Sequence, residues 1–195
     1  MVTRAQIRQT RRDLRLGHFF QPVTQARLQT RETEIQLTAR PIPARKIKRI
    51  RPPARADFFR YLLLYRLGGV YLDIKSGCSV PLDSILKEND EFLLSHWRHP
   101  QDGYHPAFGV TAELQQWHIM ASAGHPLLAA VIAQVSENLR QYDPLRQGVG
   151  KLAVLQVTGP IAYTRAIMPL LPHHPHRLFE AEAMGVTYSV TPIRH

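Results

Sequence analysis

The sequence predicts an α/β domain, and three observations carry that expectation. Residues 54–67 form an apolar-rich helix pattern that stops at Gly68-Gly69 and leads into an apolar run, 70–74, broken only by Asp73. Residues 125–142 place Leu128, Val131, Ile132, Val135, Leu139 and Tyr142 on one helical face. Short apolar runs then alternate with such helices across short connections, the order expected when helices cover a sheet.

The elements follow in chain order. The first helix, 54–67, would be roughly 21 Å long at the usual rise. Run 70–74 reads as a strand covered on both faces. In a parallel sheet Asp73 would stand toward its C-terminal end, where open α/β sheets place their chemistry. Residues 91–95 (EFLLS) read as a second strand. In helix 125–142, Pro126 is tolerated because the first turn needs no backbone N–H there. Residues 153–157 read as a further strand. Thr158 then caps a helix running to Leu171, with Pro160 near its start and Pro172 and Pro175 ending it. Residues 188–191 complete the set as a last strand, and no internal repeat is present.

At 195 residues the chain suits one domain, and 44% hydrophobic residues suffice for a core. Its charge is unevenly spread. Residues 1–60 hold fifteen Lys/Arg against four Asp/Glu, while the other 135 hold ten against eleven. Residues 1–53 therefore read as a basic, weakly structured segment, with one short helix near 4–16 and a Pro-rich basic linker over 41–53. The folded domain is expected over 54–195. Cys78 is the sole cysteine, so no intrachain disulfide forms and a reducing, cytoplasmic setting is the default. No apolar run approaches the roughly 18 residues of a membrane span, and the Arg-rich start lacks the apolar stretch of a secretory signal. A basic N-terminal segment is compatible with peripheral membrane association. Its dispersed Lys/Arg, without interleaved aromatics, predict no specific nucleic-acid partner.

The chemistry concentrates in 54–83. Asp57 and Arg60, three apart, share one helix face, where they form a structural ion pair or flank a common ligand. For an arbitrary helix the ion pair is the commoner outcome. Asp73 shifts the balance, because a carboxylate straight after Val70-Tyr71-Leu72 needs a cation or hydroxyls to bind.

The stretch resembles the sugar-binding region of glycosyltransferase family 32. In that family an Asp-x-x-Arg helix runs into Gly-Gly-x-Tyr-x-Asp-x-Asp and a Pro-Leu-Asp turn. Here the matching residues are Asp57 and Arg60, then Gly68, Gly69, Tyr71, Asp73 and Lys75, then Pro81, Leu82 and Asp83. Trp117-His118-Ile119-Met120-Ala121, Gly124-His125-Pro126 and Thr158-Gly159-Pro160 follow in the family's order, so the resemblance spans roughly 46–190.

The resemblance implies a GT-A-like mixed sheet with flanking helices. It implies transfer of a hexose from a nucleotide-sugar donor to a glycan or polysaccharide acceptor, as in capsular-polysaccharide synthesis or mannosyl transfer. Asp57 and Arg60 would hold donor-sugar hydroxyls, and Tyr71 would contact the nucleotide or ribose. Asp73 would ligate Mn²⁺ or Mg²⁺, or the donor itself. No catalytic base is nominated, since enzymes of this fold often lack an obvious protein nucleophile.

Two departures stand out. Lys75 occupies the position of the second Asp. If the strand continued, Lys75 would point the same way as Asp73, and a divalent ion about 4 Å away would repel it by roughly 8 kcal/mol at an effective dielectric of 20. Lys75 therefore neutralises the diphosphate, points away, or marks a site that has lost its metal. The second departure is upstream, where residues 1–45 show none of the family's opening strand, so the nucleotide-binding part reads as truncated or degenerate. On the resemblance, His195 would be the candidate stand-in for the family's late histidine.

Weaker signals read as structure. His173, His174 and His176 lack an accompanying carboxylate or Cys at ligand spacing and read as a solvated loop. His96, His99 and His105 lie in a loop where an acceptor pocket could form, with solvent exposure the commoner outcome. Trp117 reads as core. Gly148-Val149-Gly150-Lys151 has the wrong spacing for a phosphate loop. The competing functions are a non-catalytic remnant of the enzyme and a basic binding protein that uses its N-terminal segment on anionic partners.

Overall fold

The computed structural model describes residues 52–189. The helix expected near 4–16, most of the 1–53 segment and His195 lie outside the described residues. The elements are α1 (Pro52–Leu67), β1 (Gly69–Leu72), β2 (Gly77–Cys78), β3 (Phe92–Leu94), β4 (His118–Ala121) and α2 (Pro126–Gln141). They continue with α3 (Pro144–Gln147), α4 (Lys151–Val157), α5 (Pro160–Ile167), β5 (Arg177–Leu178) and β6 (Val186–Thr187).

Four strands form a mixed sheet in the order β1-β4-β3-β5, and β2 pairs with β6 in a separate two-stranded ribbon. β1 is antiparallel to β4, with Val70 opposite Met120 and Tyr71 opposite Ile119. β3 is antiparallel to β4, whereas β3 and β5 run parallel. Asp73 thus follows an antiparallel edge strand, which corrects the parallel-sheet expectation.

Alternation along the strands divides the core into two layers. Tyr71, Phe92, Leu94, Ile119 and Ala121 face the helices, where Tyr61 and Leu64 of α1, Val131 and Val135 of α2 and Tyr163 and Ile167 of α5 meet them. Val70, Leu93 and Met120 face the other way, onto Ile85, Trp117, Phe179, Ala181 and Val186. Both faces of the sheet are covered, as the apolar run at 70–72 required.

Several elements differ from expectation. α1 starts at Pro52 because proline is accepted in a first turn. Residues 153–157, expected as a strand, lie in helix α4, where Ala153 and Val157 are buried one helical turn apart. A five-residue apolar run does not by itself distinguish the two. α5 stops at Ile167 and continues as a 3₁₀ turn, Met168–His173. Pro169 supplies the break, since it has no N–H and clashes with the preceding turn. The last strand is Val186–Thr187, so Tyr188 and Ser189 follow it and 190–191 fall outside the described residues.

The Gly68 stop holds. Gly68 adopts φ 64°, and its N–H donates to Leu64 O at 2.7 Å. A Cβ there would sit 2.7 Å from Ala123 N and 3.0 Å from Ala121 O, both backbone atoms that cannot swing aside. Gly68→Ala should therefore lose about 2–4 kcal/mol, from left-handed strain plus overpacking. A urea midpoint equal to wild type would refute this.

Candidate active site

α1 and the end of β1 bring Asp57, Arg60, Tyr71 and Asp73 into one cluster. Asp57 and Arg60 are 6% and 7% exposed, so their charges need partners at hydrogen-bond range. Arg60 Nη2 lies 3.1 Å from Asp57 Oδ1. Its Nη1 donates to Asp73 Oδ1 at 2.9 Å and to Gln116 Oε1 at 2.9 Å. The Tyr71 hydroxyl donates to the same Asp73 oxygen at 2.7 Å, and the guanidinium lies 4.4 Å from the centre of the Tyr71 ring. Arg60 thus bridges two carboxylates contributed by different elements.

A second tier holds Asp57. Thr158 Oγ1 donates to its Oδ2 at 2.8 Å, and Gln116 Nε2 reaches its Oδ1 at 3.2 Å and the Tyr61 hydroxyl at 2.8 Å. Tyr61 in turn donates to Thr158 O at 2.9 Å. Thr158 therefore secures Asp57 rather than capping the next helix, whose N-cap residue is Gly159.

Burial pushes the Asp57 carboxyl up from its usual value, and Arg60, Gln116 and Thr158 pull it back part of the way. Burial alone would lower Arg60, but Asp57 and Asp73 carry it above its usual value. The Tyr71 phenol is pushed up by burial, so it remains a hydrogen-bond donor.

The cluster opens into a cleft of about 670 Å³, lined on this side by Asp57, Arg60, Asp73 and Gln116. Asp73 is the cluster's reachable acid, its side chain 25% exposed. Lys75 is not part of the group. The strand ends at Leu72, and a turn closed by Ser76 N–H to Asp73 O at 2.8 Å breaks the alternation that would have aligned Lys75 with Asp73. Lys75 Nζ instead sits 4.0 Å from the centre of the Tyr188 ring. Lys151 is the lysine that lines the cleft.

The carboxylates at hand do not fit a divalent ion. Asp73 Oδ1 already accepts from Arg60 and Tyr71, and both Asp57 oxygens have donors. Among the described residues no group of three His, Cys, Asp or Glu could hold a metal. An ion on Asp73 would stand beside Arg60, with a repulsion of roughly 8 kcal/mol at 4 Å and an effective dielectric of 20. The positive charge within the Asp57–Asp73 cluster is the guanidinium.

The remaining histidines divide by location. His173, His174 and His176 form no metal cluster, and His176 Nδ1 lies 2.9 Å from its neighbour's carbonyl, His174 O. His99 is exposed. His105 lines the cleft and lies 2.8 Å from Glu113 Oε2. Trp117 is buried in the core and also forms cleft wall. Sequence reasoning missed Gln116, Glu113 and the Thr158 side-chain role. Gln116 left one trace, a polar residue directly before the Trp117 motif.

A family description, the glycosyltransferase sugar-binding region containing the DXD motif, matches residues 17–92. Over those residues the chain is similar to that sugar-binding region. The match begins at residue 17, further upstream than the motifs alone carried the resemblance. Three curated relatives align over more of the chain. The initiation-specific alpha-1,6-mannosyltransferase of Schizosaccharomyces pombe is 28% identical over 127 residues, covering 62% of this chain and 32% of the relative. Its Candida albicans counterpart is 27% identical over 140 residues, 63% of this chain and 36% of the relative. Inositol phosphoceramide mannosyltransferase 1 of S. pombe is 28% identical over 131 residues, 66% of this chain and 35% of the relative. The chain spans about a third of the length of these relatives. They are fungal mannosyltransferases and lend no support to the capsular-polysaccharide expectation. No helix among the described residues is long and apolar enough to cross a membrane.

Proposed function

We propose that this chain is the donor-sugar-binding part of a glycosyltransferase that moves a hexose, mannose on the analogy of its relatives, from a nucleotide sugar to a glycan acceptor. The observation that carries the reading is Arg60, buried and bridging Asp57 and Asp73 at the wall of an open cleft. A structural ion pair needs one carboxylate. A second one, a quarter exposed and oriented by Tyr71, supplies an acceptor oxygen where sugar hydroxyls can reach it.

In this reading Asp73 binds donor hydroxyls through the oxygen that Arg60 and Tyr71 leave open. Asp57 acts through Arg60, since its own oxygens are engaged within the protein. The leaving diphosphate gathers negative charge as the glycosidic bond breaks. Arg60, held above its usual value and fixed in place, is a preorganised counter-charge for that step. Lys151 provides a second cation on the cleft wall. The mixed sheet covered by helices supports a GT-A-like arrangement for the whole protein.

Calorimetry with UDP, GDP, GDP-mannose and UDP-hexoses, with and without Mn²⁺, tests the reading. A nucleotide sugar should bind, with little gain from the metal. Asp73→Ala should lower turnover at least about a hundredfold while the thermal transition stays cooperative. Unchanged turnover in that variant, or no binding by any donor, would sink the proposal.

A further inference from the structure

The cleft extends past Asp73 to residues that donor binding leaves unused: Trp97, Asp102, His105, Glu113 and Tyr188. Their centre is Glu113, 4% exposed. Trp97 Nε1 donates to its Oε1 at 2.7 Å, and His105 Nε2 lies 2.8 Å from its Oε2. Each carboxylate oxygen has one ring nitrogen, so Glu113 sets the orientation of both rings. Burial pushes the Glu113 carboxyl up, and its bonds to Trp97 and His105 offset part of that rise.

The loop that presents His105 is tied down on both sides. His105 N–H donates to Val110 O at 2.7 Å, and Val110 N–H returns to His105 O at 3.1 Å. Glu113 N–H donates to Gly103 O at 3.0 Å. A Cβ on Gly103 would lie 2.8 Å from Trp97 Cδ1, so indole and loop are already in close contact.

With Nε2 facing the carboxylate, Nδ1 is the ring nitrogen left to hydrogen-bond elsewhere, as an acceptor in a neutral imidazole and a donor in a charged one. That nitrogen has no partner among the described residues, and the side chain is 25% exposed on the cleft. A clamp for the loop would need only the Trp97–Glu113 bond. An imidazole oriented by a buried carboxylate, with its other nitrogen left open, is a hydrogen-bonding group held in readiness.

We propose that this end of the cleft is the acceptor-sugar subsite. His105 Nδ1 hydrogen-bonds an acceptor hydroxyl, the exposed Asp102 carboxylate takes a second hydroxyl, and Trp97, packed edge to face on Tyr188 with ring centres 5.4 Å apart, forms with it one aromatic wall beside the pyranose. Glu113 is a positioning residue that acts through His105. The assignment deepens the glycosyltransferase reading and rests on it.

The test compares wild type, His105→Phe and Glu113→Gln. Calorimetry measures binding of GDP-mannose, UDP-glucose and UDP-galactose. Turnover of whichever donor binds is then followed against rising mannose, methyl α-mannopyranoside and mannobiose. Both variants should keep the donor Kd within about twofold, while KM for the sugar acceptor rises about tenfold or more in His105→Phe and less in Glu113→Gln. If His105→Phe fails to fold, the KM of Glu113→Gln decides. An unchanged acceptor KM in the folded variants overturns the subsite and leaves the donor reading intact, as does wild-type turnover that none of these sugars accelerates. Absence of donor binding in wild type overturns both.

Discussion

Replacing Arg60 with alanine is expected to abolish nucleotide-sugar binding and to cost the fold about 3–5 kcal/mol, the range for removing one partner from a buried ion pair. Both effects have one cause. Arg60 is the cation shared by Asp57 and Asp73, and without it two carboxylates face each other across a buried wall. Thr158 and Gln116 still donate to Asp57, so the stability loss should be smaller in Arg60→Ala/Asp57→Asn than in Arg60→Ala alone. Donor binding would be absent from both. Urea denaturation of the three proteins, with calorimetry on each, separates the structural from the functional contribution. Donor affinity within tenfold of wild type in Arg60→Ala would remove Arg60 from the site.

Acidification should produce the second large effect. His118 is buried with Nδ1 unpartnered, and its Nε2 lies 2.7 Å from Ser95 Oγ. Burial lowers its pKa from 6.5 to about 3. His125 caps α2, its Nδ1 accepting from Leu127 N–H at 3.2 Å, while Nε2 lies 3.1 Å from Pro175 O. Burial lowers its pKa to about 4.

The sign follows from proton counting. Below about 6.5 the unfolded histidines take up protons and the folded ones do not, so the unfolded state is favoured as pH falls. Their contribution is complete above 6.5 and is lost progressively down to about 4 for His125 and about 3 for His118. For His125 that is roughly 3 kcal/mol. The raised carboxyls of Asp57 and Glu113 work in the opposite direction. The informative quantity is therefore the difference between wild type and His125→Asn, which keeps an N-cap side chain but cannot titrate. Urea midpoints from pH 7 to 4 should fall less steeply in His125→Asn. Parallel curves would show that His125 does not drive the acid limb.

Local patterns carried much of the fold. Apolar spacing gave α1 and α2 to within two residues, because a helical face repeats within one turn and needs no distant information. The Gly68 stop was legible for the same reason: a left-handed residue closes a helix wherever it stands. α4 was misread because its apolar run is too short to show a period. The parallel setting of β1 was misjudged because strand pairing depends on partners about fifty residues away, such as Met120 opposite Val70.

The site divides the same way. Asp57, Arg60 and Asp73 were legible as charges inside apolar segments, which cannot be buried unpaired. Gln116 and Thr158, which complete the network from 59 and 101 residues away, left little trace. Lys75 shows the limit of local reasoning most plainly. Alternation would place it beside Asp73, but the strand ends one residue before Asp73 and a turn sends it to Tyr188.

By itself, then, the sequence determined that a cluster of Asp57, Arg60, Tyr71 and Asp73 sits at a helix–strand junction, because helix period and the cost of buried charge act over short spans. Only the tertiary structure decided what neutralises Asp73. That is Arg60 rather than Lys75, since the choice depends on which side chains the packing of α1, β1 and the 113–118 segment brings within 3 Å.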